Sequence, residues 1–274
     1  MYRITRNATQ AGELLQAGDP LPFETVNEGG ASPFVLVCEH AGRAVPGSLG
    51  RLGLNERALG LHIAYDIGAA EVARALSRRL DAPLVLQPYS RLVIDCNRPA
   101  SSPECIPWQS DGIPIPGNLD LTDAARTARL REIHTPFHAR IGRLLDERHA
   151  AGRSALLITI HSFTPRLATG TDARPWHLGL LYNRDSRLSE RILAAFEALE
   201  TGCVVGRNVP YEVNDASDFT IPVHGEQRAL GHALIEIRND LIADAGGQAS
   251  WARLLGETFE RVIASQEEQQ ACRS

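Results

Sequence analysis

Positive charge is not in excess here. The 274 residues carry 28 lysines and arginines against 33 aspartates and glutamates, a net charge of −5, with a pI near 6.0. That balance gives a nucleic-acid partner no compositional support. Long hydrophobic runs are also missing. Segments such as 34–38 and 155–160 fall well short of the roughly 20 apolar residues that span a bilayer, which excludes a membrane-spanning protein. The basic residues within 1–7 have no apolar stretch behind them, so no signal peptide is expected. Cysteine is sparse: the five residues, at 38, 96, 105, 203 and 272, include no CxxC. A disulfide scaffold is therefore not expected, and a reducing cytoplasm is the expected home. GxGxxG, Walker A, GxSxG and HExxH are all absent, which removes support for dinucleotide binding, a P-loop, a nucleophile elbow and the helical zinc motif.

What is present describes a folded chain. At 43% hydrophobic and 22% charged it is too apolar for disorder, and its length suffices for a sizeable core. Residues 1–32 are polar and read as an amino-terminal arm, with 33–274 as the main domain. Phe34–Cys38, Ala155–Ile160 and Ala233–Ile237 are apolar runs of strand length, as expected of strands covered on both faces. Shorter strands are expected at 84–86, 92–94, 178–181 and 203–205. Helices are expected at 64–80, 122–151, 188–199 and 250–265. The prolines at 99, 103, 107, 114 and 116 predict a long loop without regular elements, a feature that is usually functional. This alternation predicts a single α/β domain with a mixed, mostly parallel sheet and helices on both faces.

Sites in such sheets form beyond the carboxyl ends of the strands, and three strands end in polar chemistry. The first runs into Glu39-His40-Ala41-Gly42, the middle one into His161-Ser162, and the last carries Glu236 between Ile235 and Ile237. Asp66 falls at the expected start of the 64–80 helix. Two histidines and a carboxylate suit catalytic zinc with a fourth position open, and Glu236 could act as general base. Each residue also has an ordinary reading. Asp66 could cap its helix, Glu236 could pair with Arg238, and a lone histidine is more often structural. His134 and His138 are expected on a solvated helix face. His232, one step before the last strand, is a weak candidate for approaching the site. Arg91, Arg98 and Arg174, in flanking loops, suit carboxylate capture as a group and suggest an anionic substrate. Cys96 and Cys105 lack an activating partner.

Taken in order, Cys38-Glu39-His40-Ala41-Gly42, Tyr65-Asp66-Ile67-Gly68, Ser90-Arg91 through Asp95-Cys96-Asn97-Arg98-Pro99, Thr159-Ile160-His161-Ser162-Phe163, Arg174-Pro175-Trp176, Asn208-Val209-Pro210-Tyr211 and Ile235-Glu236-Ile237-Arg238 resemble the N-formylglutamate amidohydrolase family over about residues 33–242. The resemblance implies a phosphorylase/hydrolase-like fold of the zinc-peptidase kind. It also implies hydrolysis of the amide of an N-acyl, foremost N-formyl, amino acid such as N-formyl-L-glutamate. It implies His40, Asp66 and His161 as ligands of Zn²⁺ or another divalent transition metal, and Glu236 as the base. Asn97 and Arg98 match the family's Asn-Arg-Pro segment, which makes Arg98 the first candidate for a substrate carboxylate; Arg174 or Arg91, in the flanking loops, is expected to assist it. Another N-acyl amino acid or small peptide, or a non-catalytic carboxylate-binding relative, are the alternatives. The first motif reads Glu-His-Ala-Gly where the best-known deformylases resemble Pro-His-Ser-Gly.

Overall fold

The computed structural model describes residues 13–271, with side chains described as far as residue 265. Residues 1–7 and Cys272 thus lie outside the described residues. Strand β1 (Glu24–Val26) is followed by β2 (Phe34–Cys38) and β3 (Leu84–Leu86). A short hairpin of β4 (Gln109–Ser110) and β5 (Ile113–Pro114) stands apart. Next come β6 (Leu156–Phe163), β7 (Leu178–Leu181), β8 (Val205–Arg207) and β9 (Gly231–Arg238). Seven strands form one sheet in the order β1-β3-β2-β6-β9-β7-β8. It is parallel from β3 through β9 and between β7 and β8, and antiparallel at β1–β3 and β7–β9.

The central strands are buried on both faces because helices cover both. Strand alternation divides β2 between two cores. Phe34, Leu36 and Cys38 pack with Ile158, Ile160, Ala233 and Ile235 against helices α2 (Ala69–Leu80), α5 (Arg187–Glu197) and α6 (Ala245–Ala271). Val35 and Val37 pack on the other face with Leu157 and with Phe137, Ile141 and Leu144 of α4 (Thr135–Ala150). A short α1 (Glu56–Leu59) and α3 (Asp123–Arg129) complete the helices, and a π turn at Leu130–His134 joins α3 to α4. Within the segment 1–32, the described residues add β1 to the sheet edge and bury Leu14 and Leu15.

Several expectations need correction. The apolar triplet Leu92-Val93-Ile94 is a buried turn rather than a strand. Ser90 ties it down, donating its hydroxyl to the Ala64 carbonyl and accepting from the Leu92 N–H. Helix α2 begins at Ala69, five residues later than the pattern suggested, so Asp66 precedes it. Gly68 sets that start: its φ is +79°, and a Cβ there would lie 2.1 Å from the Ile242 carbonyl oxygen. The Pro-rich segment does hold regular structure, the β4–β5 hairpin and two 3₁₀ turns. Residues 221–226 form a π turn.

Candidate active site

β2 and β6 lie side by side and parallel, so His40, just past β2, and His161, near the end of β6, meet at the same edge. On β6, His161 points to the face opposite Ile160, and its register partner on β9 is Glu236. Cross-strand partners share a face. That explains an acid between two isoleucines: Ile235 and Ile237 enter the core beside α2 and α6 while Glu236 sits beside His161. The loop before α2 returns Asp66 to this edge. Its N–H donates to the His40 carbonyl at 3.0 Å, and its Oδ2 accepts from the Ser162 N–H at 3.1 Å.

His40, Asp66 and His161 are all buried and converge. Asp66 Oδ2 lies 2.9 Å from His161 Nδ1 and 3.3 Å from His40 Nδ1, and the two Nδ1 atoms are 3.2 Å apart. The opposite ring nitrogens meet two further carboxylates. His40 Nε2 is 2.8 Å from Asp95 Oδ1, and His161 Nε2 is 3.0 Å from Glu39 Oε2, the latter an ion-pair contact out of line for a hydrogen bond. With the Nε2 protons facing carboxylates, both Nδ1 lone pairs point at one spot beside a carboxylate oxygen. Three acceptors so placed call for a cation. Ligands about 2.0–2.1 Å from a tetrahedral centre stand roughly 3.3 Å from one another, close to the separations here, and the donor set of two imidazoles and a carboxylate suits zinc. The residues therefore fit a divalent metal, and carboxylates behind the ring nitrogens are what ligating histidines usually have.

The charges agree with that geometry. Burial opposes ionisation of Asp66, but the positive charge that His40 and His161 carry when protonated holds its carboxyl well below the usual range. Burial and Arg91 oppose protonation of His40, yet Asp95 and Asp66 raise its pKa. Burial likewise opposes protonation of His161, but Glu39 and Asp66 push it well up. Glu236 is the exception. It is 6% exposed and its Oε2 has no hydrogen-bond partner. Burial pushes its carboxyl from 4.5 to about 7.

The cluster forms the floor of a cavity of about 520 Å³ that Arg91, Asn97, Arg98, Tyr211 and Glu236 also line. Arg91 donates Nε and Nη2 to Asp95 Oδ2, at 3.1 and 2.7 Å, and its Nη1 is 3.4 Å from Asp66 Oδ1. Arg98 Nη1 donates to the Ser217 carbonyl and lies 3.6 Å from Asp218, while its Nε is 3.5 Å from Glu104. Asn97 is a buried latch: its amide donates to Asp218 and its oxygen accepts from the N–H groups of Phe219 and Thr220. Arg174 is not part of the lining. It donates to the Tyr211 hydroxyl at 3.0 Å and stacks on that ring. Arg238 pairs with Asp240, so the expected alternative of a Glu236–Arg238 pair does not form.

Asp95 and Glu39 stand in quoted motifs without an assigned role. The signal available for Glu39 was an acid closing a wholly buried strand. For Asp95 it was masked by reading 92–94 as a strand. His134 and His138 are buried, not solvated. Each donates Nε2 to the 95–98 loop, at the carbonyls of Arg98 and Cys96 respectively, and so fixes the loop that carries Asp95. His232 lies at the far end of β9, bonded to the Leu230 carbonyl. Burial pushes the Cys105 thiol to about 12 and the Cys96 thiol well up, which disfavours a thiolate nucleophile.

A mixed sheet of this order, with two histidines and an aspartate gathered beside an unpaired glutamate, defines an α/β protein with a candidate metal centre. A family model described as N-formylglutamate amidohydrolase matches residues 32–243. The crystal structure of gene product Atu2144 from Agrobacterium tumefaciens is 40% identical, covers 93% of this chain and 100% of that one, and has a TM-score of 0.88. An N-formylglutamate amidohydrolase from Ralstonia eutropha JMP134 shares the fold at 20% identity, covering 91% of this chain and 100% of that one with a TM-score of 0.69. No curated protein matches. The chain belongs to the N-formylglutamate amidohydrolase family and is a hydrolase acting on amides. Among the described residues, no helix is long and apolar enough to cross a membrane.

Proposed function

We propose that this protein is a metal-dependent hydrolase of N-acyl amino acids, with formyl the first acyl group to test and N-formyl-L-glutamate the first compound. The observation that carries the reading is the convergence of His40 Nδ1, His161 Nδ1 and Asp66 Oδ2 next to the unpartnered carboxyl of Glu236. His40, Asp66 and His161 would hold Zn²⁺ or another divalent transition metal, which would supply Lewis-acid polarisation of the amide carbonyl and a lowered pKa for water.

The chain's own residues do the rest. Glu236 takes the proton from the attacking water and passes it to the departing amine nitrogen as the C–N bond breaks. Burial raises the proton affinity of the Glu236 carboxylate, which suits it to take that proton. Arg91 holds Asp95 and Asp66 in place. Arg98, whose Nη2 has no hydrogen bond or ion pair among the described residues, takes one substrate carboxylate. Asn97 fixes the Arg98 loop against residues 218–220, and Arg174 fixes Tyr211 in the cavity wall. The four cysteines among the described residues are free thiols, and the enzyme is proposed to work in a reducing, cytoplasmic setting.

The test is Glu236→Gln in the metal-loaded protein, assayed by amine release from N-formyl amino acids. Loss of a general base lowers kcat by about 10²–10⁴-fold with metal still bound. Undiminished turnover would remove Glu236 from the mechanism. A protein that binds no metal and turns over no N-acyl compound would favour a carboxylate-binding relative instead.

A further inference from the structure

The family name suggests a substrate with two carboxylates, and the cavity is poorly furnished for two. Among the described residues its charged lining includes two guanidinium groups, Arg91 and Arg98, against six carboxylates. Arg91 is already bound on both sides by Asp95 and Asp66. Arg98 is shared among Ser217, Asp218 and Glu104, which leaves one nitrogen for one carboxylate. Arg174, the remaining candidate, is turned to Tyr211 and Thr164 outside the lining. A divalent cation on the floor, with Asp66 as its ligand, still leaves the negative groups in excess.

The surplus is concentrated where a side chain beyond the amide would pass. His40, His161, Asp95 and Glu236 are buried and make the floor, whereas Glu104 and Glu212 line the same cavity and are exposed, which places them at the mouth. The Glu104 side chain is 69% exposed and only 3.5 Å from Arg98 Nε. Glu212 has no ion pair or side-chain hydrogen bond among the described residues. A third acid, Asp111, keeps its charge, but its oxygens are taken up by the N–H groups of Ala168 and Thr169.

We infer that the preferred substrate carries a positive charge at the end facing the mouth: an N-acyl amino acid with one carboxylate, bound at Arg98, and a basic side chain lying between Glu104 and Glu212. This rests on the amide-hydrolase reading above and names its substrate class. A glutamate side chain would instead meet like charge, and juxtaposed like charges act strongly in partner selection.

The experiment compares N-formyl-L-lysine, N-formyl-L-norleucine and N-formyl-L-glutamate with the metal-loaded enzyme. Binding of lysine, norleucine and glutamate, the amine products, is measured alongside by calorimetry. The expected kcat/KM falls in that order, about tenfold per step, and the product affinities follow it. The spread narrows as salt is raised, because exposed charges are screened. Glu212→Lys, which breaks no contact, and the double change with Glu104→Lys shift the preference toward glutamate. A glutamate preference in the wild type, or an order indifferent to these reversals, would overturn the inference and leave the amide-hydrolase reading standing. If no compound is turned over but the products bind in the expected order, the charge inference holds and the hydrolase reading fails. With neither turnover nor an order of binding, both fall.

Discussion

Replacing Glu236 by glutamine makes the metal-free protein more stable at alkaline pH, although it disables the proposed chemistry. In the folded, metal-free chain burial holds this carboxyl at about 7, against an ordinary value of 4.5. The folded state therefore binds the proton more tightly than the unfolded chain. The resulting stability is complete below pH 4.5 and is lost as pH rises through about 7. A rise of that size corresponds to about 3 kcal/mol, most of which is lost between pH 5 and pH 8. Glutamine cannot ionise and escapes this loss. Urea unfolding of both proteins with chelator present, at pH 5 and pH 8, measures it. The variant should gain about 2–3 kcal/mol on wild type over that interval. Parallel pH dependences within about 0.5 kcal/mol would refute the idea that a buried, unpaired acid stands beside the cluster. With zinc present the cation favours the carboxylate, and the pH dependence of wild type should flatten.

Other consequences are equally direct. Glu39→Gln should lower zinc affinity about 10–100-fold, read by chelator competition, because the carboxylate behind His161 orients its ring; unchanged affinity would make Glu39 structural only. Asp95→Asn should weaken zinc binding similarly and free Arg91. Leu36→Ala, at the centre of the core between β2 and the helices, should cost about 2–5 kcal/mol by urea unfolding without altering metal stoichiometry. Zinc added at 100 times its Kd should raise unfolding free energy by about 2.7 kcal/mol, and EDTA should reverse it.

How much of this was legible in the sequence depends on the physics of each segment. The strand runs at 34–38, 155–160 and 233–237 were plain because burial on both faces leaves a continuous apolar run, and each became a central strand. His40, His161 and Glu236 were legible as polar residues toward the carboxyl ends of such runs, and Asp66 as an acid at an expected helix start; the structure brings all four together. Leu92-Val93-Ile94 misled because three apolar residues have no measurable period, and a buried turn needs apolar side chains as much as a strand does. His134 and His138 read as solvated because helical spacing does not say which loop will pack over a helix; here the 95–98 carbonyls do. The pairing that occupies Arg91 and Arg98 was out of reach for the same reason. Their partners Asp66 and Asp218 come from distant segments that only the fold brings near.

Metal content of the purified protein, by elemental analysis of wild type beside His161→Ala, tests the central claim most directly. Near-stoichiometric zinc or another divalent transition metal in wild type, falling sharply in the variant while the protein stays folded by circular dichroism, is the predicted result. No metal in wild type even after reloading, or equal metal in both proteins, would contradict it.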